Sequence, residues 1–251
     1  MHVNYRFLVA AAGVEKPERG TLLDVGCGKG DMVRLAAEDG WAARGIEYFG
    51  AGSGTTIRGV LQERGLLGDT VLEYDGLHFP FSDDSFDIVL SNQVFEHVPD
   101  LNPLLSEIAR VLKPGGTLIC TFPYQGAIRE GHSNVLFAHW FPKSFMREVW
   151  LLMFRCMGIG RLKGKRTRRQ WARFFNEWLN ENTFYLGWRD VQNVFGKNFG
   201  RVEHREAAYM GYRLTDRGRP ELGRLAQWHL FAPLTVWIAR KFGSLVIYAR
   251  N

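Results

Sequence analysis

The chain has 251 residues, 46% of them hydrophobic and 23% charged. That length suits one large domain, or one domain with an elaborated insertion, and the composition is too apolar for a disordered chain. Three cysteines, Cys27, Cys120 and Cys156, form no CxxC pair. This disfavours a disulfide scaffold or a zinc knuckle and fits a reducing, cytoplasmic setting. Met1–Gly13 lacks the basic start, apolar run and small-residue site of a cleavable leader. No apolar stretch reaches the ~20 residues of a spanning helix. The longest, Leu230–Ala239, stops at Arg240 and Lys241. The pattern argues against an integral membrane protein but leaves a membrane-surface protein open.

Charge divides the chain. Residues 1–125 carry 10 Lys and Arg against 17 Asp and Glu; residues 126–251 carry 22 against 9. Seven of the eight tryptophans lie in the second half. The first half reads as an acidic α/β enzyme core. The second reads as a basic, aromatic surface suited to anionic membrane, phosphorylated substrate or nucleic acid.

In chain order, Thr21–Val25 reads as a buried strand and Asp31–Glu38 as a helix. Ala43–Glu47 is a second strand, Thr55–Arg64 a helix, Val71–Asp75 a third strand and Phe86–Asn92 a fourth. Leu101–Leu112 has the apolar spacing of a one-sided helix, ended by Pro114-Gly115-Gly116. Thr117–Phe122 is a fifth strand. Alternation of this kind predicts a mostly parallel sheet covered on both faces, with ligands beyond the carboxyl ends of the strands. After Phe122 the alternation breaks. Ser144–Met157 and Gln170–Leu179 read as amphipathic helices around a basic run, Arg161–Arg173. Gly200–Tyr212 returns to strand character. Glu221–Phe242 reads as a helix broken or kinked at Pro233, and Leu245–Arg250 as a terminal strand. One domain results, with a cofactor-binding core at 1–122, a helical insertion capping the substrate at 123–199, and final strands and helix at 200–251.

The sharpest chemical signal is LLDVGCGKGD, Leu22–Asp31. A strand ends at Asp24-Val25, and Gly26, Gly28 and Gly30 turn into a helix, letting the backbone take positive φ and a ligand approach. Against the dinucleotide pattern G-x-G-x-x-G, Asp31 stands where the third glycine belongs. A carboxylate there repels a pyrophosphate but suits a cationic amine; it serves equally as a helix-start residue favoured by the dipole. Glu47 follows Asp24 by 23 residues, near the offset at which a carboxylate grips ribose hydroxyls. Together they indicate a nucleoside ligand without a diphosphate.

At these residues the chain resembles the class I S-adenosylmethionine-dependent methyltransferases, in their small-molecule, type 11-like branch. LDVGCGKG is similar to their glycine-rich first motif, and Glu47 to their ribose-binding acid. Tyr74-Asp75-Gly76-Leu77, FPFSDDSFDIV, SNQVFEHVPDL and RVLKPGGTLICTFP continue the likeness in order over about residues 20–125. HWFPKSF (His139–Phe145) is similar to a stretch that follows the fifth strand in this branch; the basic insertion matches nothing in it. The resemblance implies a Rossmann-like seven-stranded sheet with a helical cap after strand five. It implies S-adenosylmethionine as cofactor. Asp24, Gly26, Gly28 and Gly30 would surround its amino-acid end, Glu47 its ribose, and Asp75, Gly76 and Leu77 its adenine. Asn92 and Gln93 would border the methionine moiety and the transferring methyl.

The implied mechanism is direct displacement, in which the protein aligns the nucleophile. A hydroxyl acceptor gains from a general base. Candidates are His97, just past strand four, His132 and His139 after strand five, and Tyr124. A structural role competes with catalysis at His97. His132 and His139 lie seven apart and would align on a helix, but with no clustered carboxylate or cysteine no metal site is expected. For Arg161–Arg173, anionic membrane contact ranks first, because Trp150, Phe154, Phe174 and Trp178 lie beside the charges. A solvated face follows closely. RNA ranks third, since only Trp171 interleaves the charges as a stacking aromatic. The function expected is methyl transfer to a small-molecule acceptor, extending to a lipid-linked or glycan intermediate at the membrane. Its rivals are an RNA or protein methyltransferase and a non-catalytic cofactor-binding regulator.

Overall fold

The computed structural model describes residues 2–50 and 54–251. Seven strands form one sheet: β1 (Thr21–Val25), β2 (Ala42–Glu47), β3 (Val71–Glu73), β4 (Phe86–Asn92), β5 (Leu112–Phe122), β6 (Arg201–His204) and β7 (Leu245–Arg250). Their order is β3-β2-β1-β4-β5-β7-β6. β1 through β5 pair in parallel, and β7 runs antiparallel to both β5 and β6. The chain steps one way from β1 to β2 and the other way to β4. The carboxyl ends of β1 and β4 therefore flank the crevice where such sheets take their ligands.

Central strands covered on both faces need apolar residues at every position, not alternately. Leu22, Leu23 and Val25 of β1 and Ile88, Val89 and Leu90 of β4 are all buried. One face is covered by α1 (Val3–Glu15), α2 (Asp31–Glu38) and α8 (Glu206–Asp216), through Phe7, Leu8, Met32 and Tyr209. The other is covered by α4 (Leu101–Val111) and α7 (Trp188–Asn198), through Leu105, Ile108 and Phe195. α3 (Gly54–Glu63) packs Leu61 beside Val71 at the β3 edge. Between β5 and α7 stand α5 (Phe145–Cys156) and α6 (Arg168–Asn182). Ser144 caps α5, and Thr167 with Gln170 closes a capping box on α6. These two helices have a core of their own: Leu151 and Phe154 against Trp171, Phe175 and Leu179.

Three expectations are corrected. Gly200–Tyr212 is a strand only over Arg201–His204, and from Glu206 onward it belongs to α8. Tertiary partners decide this: Tyr209 packs edge-on against Phe7 at 5.0 Å, and fully buried Glu206 pairs with Arg240 at 2.9 Å. Glu221–Phe242 is two helices, α9 (Pro220–Gln227) and α10 (Ala232–Phe242). Pro233 lies in the first turn of α10, where its missing N–H costs no helical bond. The segment holding His132 and His139 is no continuous helix but turns and one short 3-10 piece at Ala138–Trp140.

Helix α1 was not foreseen as an element, and it is held by a buried amide. The Nδ2 of Asn4 donates to Asn92 Oδ1 at 2.9 Å, and its Oδ1 accepts from the Tyr209 hydroxyl at 2.5 Å. Asn4→Ala would strand both partners. The expected loss is about 1–3 kcal/mol of stability, read from urea unfolding of the variant against the parent chain.

Candidate functional site

The turn after β1 is built from three glycines in the left-handed region, with φ of 71° at Gly26, 53° at Gly28 and 76° at Gly30. Their surroundings differ. A Cβ on Gly26 would meet Val94 at 2.4 Å, and one on Gly30 would meet Leu66 at 2.7 Å; one on Gly28 meets nothing within 4 Å. Packing closes the first and third positions, and the second faces open space. Glu47 reaches over from the end of β2, where its Oε2 accepts the Gly28 N–H at 2.6 Å. Burial pushes the Glu47 carboxyl above its usual range. Asp24, at the end of β1, is buried with neither oxygen partnered. Burial, and then the charge of Glu47, drive its pKa well up. Such a pair of carboxylates, one wholly unsatisfied, calls for donor groups from outside the chain.

Asp75, Gly76 and Leu77 form an exposed turn past β3. Asp75 Oδ1 accepts the N–H groups of Leu77 and His78, each at 2.7 Å. These bonds hold its carboxyl down at about 2. Asp75 thus shapes the turn, and Oδ2, which contacts His78 at 3.3 Å, is the oxygen left to face a ligand. Asp31 pairs with Arg64 at 2.6 Å, so the carboxylate that breaks the dinucleotide pattern has a cation of its own.

At the end of β4, Asn92 and Gln93 open onto a cavity of about 980 Å³. Gln93 has φ 57°, a strained conformation for a side-chain-bearing residue. Its side-chain amide donates to Ser244 Oγ at 3.1 Å. Asp31 also reaches this cavity, whereas Glu47 and Asp75 lie outside its walls. The remaining walls come from six regions: His2–Tyr5 at the start of α1, Arg129 and His132 after β5, Arg161 and Leu162 after α5, Phe174 and Trp178 of α6, Tyr209 and Arg213 of α8, and Phe242–Ser244 before β7. Three arginines, Arg129, Arg161 and Arg213, stand in the lining. The α1 residues were invisible as site residues because nothing in a short N-terminal helix signals that a sheet end lies behind it.

Of the three histidines singled out by sequence, His97 and His132 come together, and His139 lies against Tyr185. His97 and His132 lie with ring centres 5.1 Å apart, both against Trp178. Only His132 of the three lines the cavity among the described residues. His97 Nδ1 donates to the Asn182 carbonyl at 2.5 Å, and burial lowers its pKa. His132 Nδ1 meets Glu130 Oε1 at 2.8 Å and Tyr185 Oη at 3.2 Å. His139 is buried with both ring nitrogens unpartnered, its ring 4.7 Å from that of Tyr185. Beside His97 and His132 sits Glu96, buried with neither oxygen bonded and its carboxyl pushed up to about 8 by burial. Glu96, Glu130 and Tyr185 were missed by the sequence reading. Tyr124 is buried in the core beside Trp188 rather than in the cavity. Trp171, the aromatic expected to stack RNA bases, is wholly buried, and its Nε1 donates to the Arg161 carbonyl at 2.7 Å.

Residues 23–120 match the family described as a methyltransferase domain. They are a class I methyltransferase domain. Such domains take their methyl group from S-adenosylmethionine. Curated relatives match over the same core. Phosphoethanolamine N-methyltransferase 2 of Caenorhabditis elegans is 33% identical over 110 residues, 42% of this chain and 24% of that protein. An uncharacterized methyltransferase of Mycobacterium tuberculosis is 36% identical over 113 residues, 43% of this chain and 41% of that protein. The chain thus spans well under half the length of these relatives. A solved S-adenosylmethionine-dependent methyltransferase from Mesorhizobium loti aligns over 96% of both chains, with TM-score 0.54 and 17% identity, which extends the fold likeness to the whole chain. The site fits this cofactor on its own geometry: open space over Gly28, an acid at the end of β2, and an unpartnered buried acid at Asp24.

The glycines separate packing from ligand space. Gly26→Ala should lose about 1–2 kcal/mol from the left-handed backbone, and a further ~1–3 kcal/mol from the Val94 clash. Gly28→Ala should show only the backbone cost yet bind S-adenosylhomocysteine poorly. Thermal melts and ligand titration of both variants read the contrast.

Proposed function

We propose that the chain transfers the methyl group of S-adenosylmethionine to a small-molecule acceptor held in the cavity under the α5–α6 cap. The single observation that carries this reading is the junction at Asn92 and Gln93. There the glycine-turn side of the sheet end and the cap share one cavity. The bound cofactor supplies a methyl group already activated by its sulfonium. The chain's task is then alignment and exclusion of water. Glu47 would accept from the ribose hydroxyls and Asp75 Oδ2 from the adenine amine. Asp24 would answer the amino-acid end. The cap and α1 would enclose the acceptor, and the cavity arginines favour an acceptor with anionic groups. His132 presents the wall nearest that acceptor, backed by Glu130 and Tyr185, with His97 and His139 behind it.

The acceptor fits a lipid-linked or glycan intermediate met at a membrane surface. In α10 only Ala239 is buried; Leu234, Trp237, Ile238 and Phe242 are exposed, as are Trp228, Leu230 and Phe231 before it. Residues 217–242 hold five basic side chains against one acidic. Helix α10, with its exposed apolar face and the basic residues on it and before it, would lie in an anionic interface. Its last residue, Phe242, also lines the cavity, so the same helix would bring the cavity mouth to the surface. The basic run offers RNA no comparable grip, with Trp171 in the core.

Calorimetric titration with S-adenosylhomocysteine, with NADH as control, tests the donor side. The parent chain should bind the first and not the second. Glu47→Ala should weaken binding by about ten- to a hundredfold, the worth of charged hydrogen bonds of ~1.5–3 kcal/mol. Unchanged affinity would refute the ribose role. Flotation with vesicles tests the surface side. The parent chain should rise with anionic vesicles and stay down with neutral ones, and Trp237→Glu should abolish flotation while leaving S-adenosylhomocysteine binding intact. Equal flotation of parent and variant would remove α10 as the contact.

A further inference from the structure

We infer that Glu96, His97 and His132 form a binding site for a divalent cation of the zinc class at the wall of the acceptor cavity. Binding of the ion does not depend on the methyltransferase reading; the part the ion would play toward the acceptor rests on that reading.

One donor atom from each of the three residues lies within 4.8 Å of the other two, and among the described residues no other such trio occurs. Two imidazoles and one carboxylate are the ligand set of zinc and of ferrous or cobaltous ions, not of magnesium or calcium. Ligands about 2.0–2.2 Å from a shared ion stand some 3–3.5 Å apart. Side-chain movements of about an ångström would close the present spacing.

Two further observations point to an ion rather than to a chance cluster. The first is Glu96. It is 1% exposed, and neither carboxylate oxygen has a hydrogen-bond partner. Its Oε1 lies 4.0 Å from His97 Nε2. A buried acid left wholly unsatisfied is rare, and a cation between it and the imidazoles would satisfy it. The second is the state of the rings. A carbonyl can only accept, so the short contact with Asn182 fixes the proton of His97 on Nδ1. The Glu130 carboxylate does the same for His132. Each ring is therefore held from behind and left with a lone pair on Nε2. Ligating histidines are characteristically anchored in this way, by a carbonyl or carboxylate on the far nitrogen.

Three protein ligands leave at least one position open, as in sites that bind a reactant. His132 lines the cavity, so that position would face the acceptor. An oxygen or nitrogen of the acceptor, or a water, would occupy it. On this assignment His132 is a ligand of the ion, and the ion would hold the acceptor's reacting atom beside Asn92 and Gln93.

The full-length chain, stripped with chelator and dialysed, is titrated with Co²⁺ while visible absorption is followed. One saturable site per chain with ligand-field bands is expected, and Zn²⁺ should displace the colour at equimolar concentration. Glu96→Gln and His132→Gln should each weaken Co²⁺ binding by well over tenfold. Glu130→Gln, which loosens the anchor behind His132, should cost about ten- to a hundredfold. Circular dichroism and thermal melts of each variant check folding independently of any ligand. If Glu96→Gln fails that check, His132→Gln, on the cavity wall, carries the test. No saturable site in the parent chain, or a site untouched by Glu96→Gln and His132→Gln in folded protein, would overturn the assignment.

Discussion

The acceptor side of the molecule depends on one buried carboxylate. Glu130 is 1% exposed and, among the described residues, has no arginine or lysine bonded to it. Burial alone would drive its proton on, because a bare charge in the interior is costly. Instead its oxygens take four donors: the His132 N–H and ring, the Tyr185 hydroxyl, and the Ser133 N–H at 2.5 Å. These outweigh desolvation and hold the carboxyl at about 2. The consequence is geometric. One charge fixes the turn at 130–133 and joins it to Tyr185, 55 residues on. It also orients the His132 ring toward the cavity. Removing any donor weakens both the turn and the wall.

The donor side follows a different logic. There the sheet itself places the groups, because β1, β2 and β4 end together at the point where strand order reverses. Leu22–Asp31 and Phe86–Asn92 could be read directly from the sequence for that reason. Strands buried on both faces are short unbroken apolar runs, and the turns that end them need glycine. Glu47 was legible by its distance along the chain from Asp24, which one β-α-β unit sets. The glycines show how much such a motif compresses: Gly26 and Gly30 answer to Val94 and Leu66, and Gly28 alone faces open space.

The rest was hidden for physical reasons. Helix α1 buries Phe7, Leu8, Val9, Ala11 and Ala12 around much of its girth, so it lacks the one-sided stripe that marks a surface helix. Helix α8 carries two tyrosines and small residues that fit a strand equally well, and only its contacts with Phe7 and Arg240 decide for helix. The Glu96–His97–Glu130–His132–Tyr185 cluster draws on three separate stretches of chain. Spacing along the sequence cannot reveal it, although Glu96 stood beside a residue already singled out. Its burial, not its position, makes it notable.

Asn4 couples these two halves. Its amide ties α1 to Asn92 at the sheet end and to Tyr209 of α8, and α8 in turn holds Arg240 of α10 through Glu206. The residues that enclose the cavity from the N-terminal side are therefore linked, by two polar contacts, Asn4–Tyr209 and Glu206–Arg240, to the helix whose apolar face meets the solvent. Satisfied polar links of this kind rigidify the elements they join. The chain thus joins its outer apolar surface to its strand ends by connections that a core of leucine and valine could not provide.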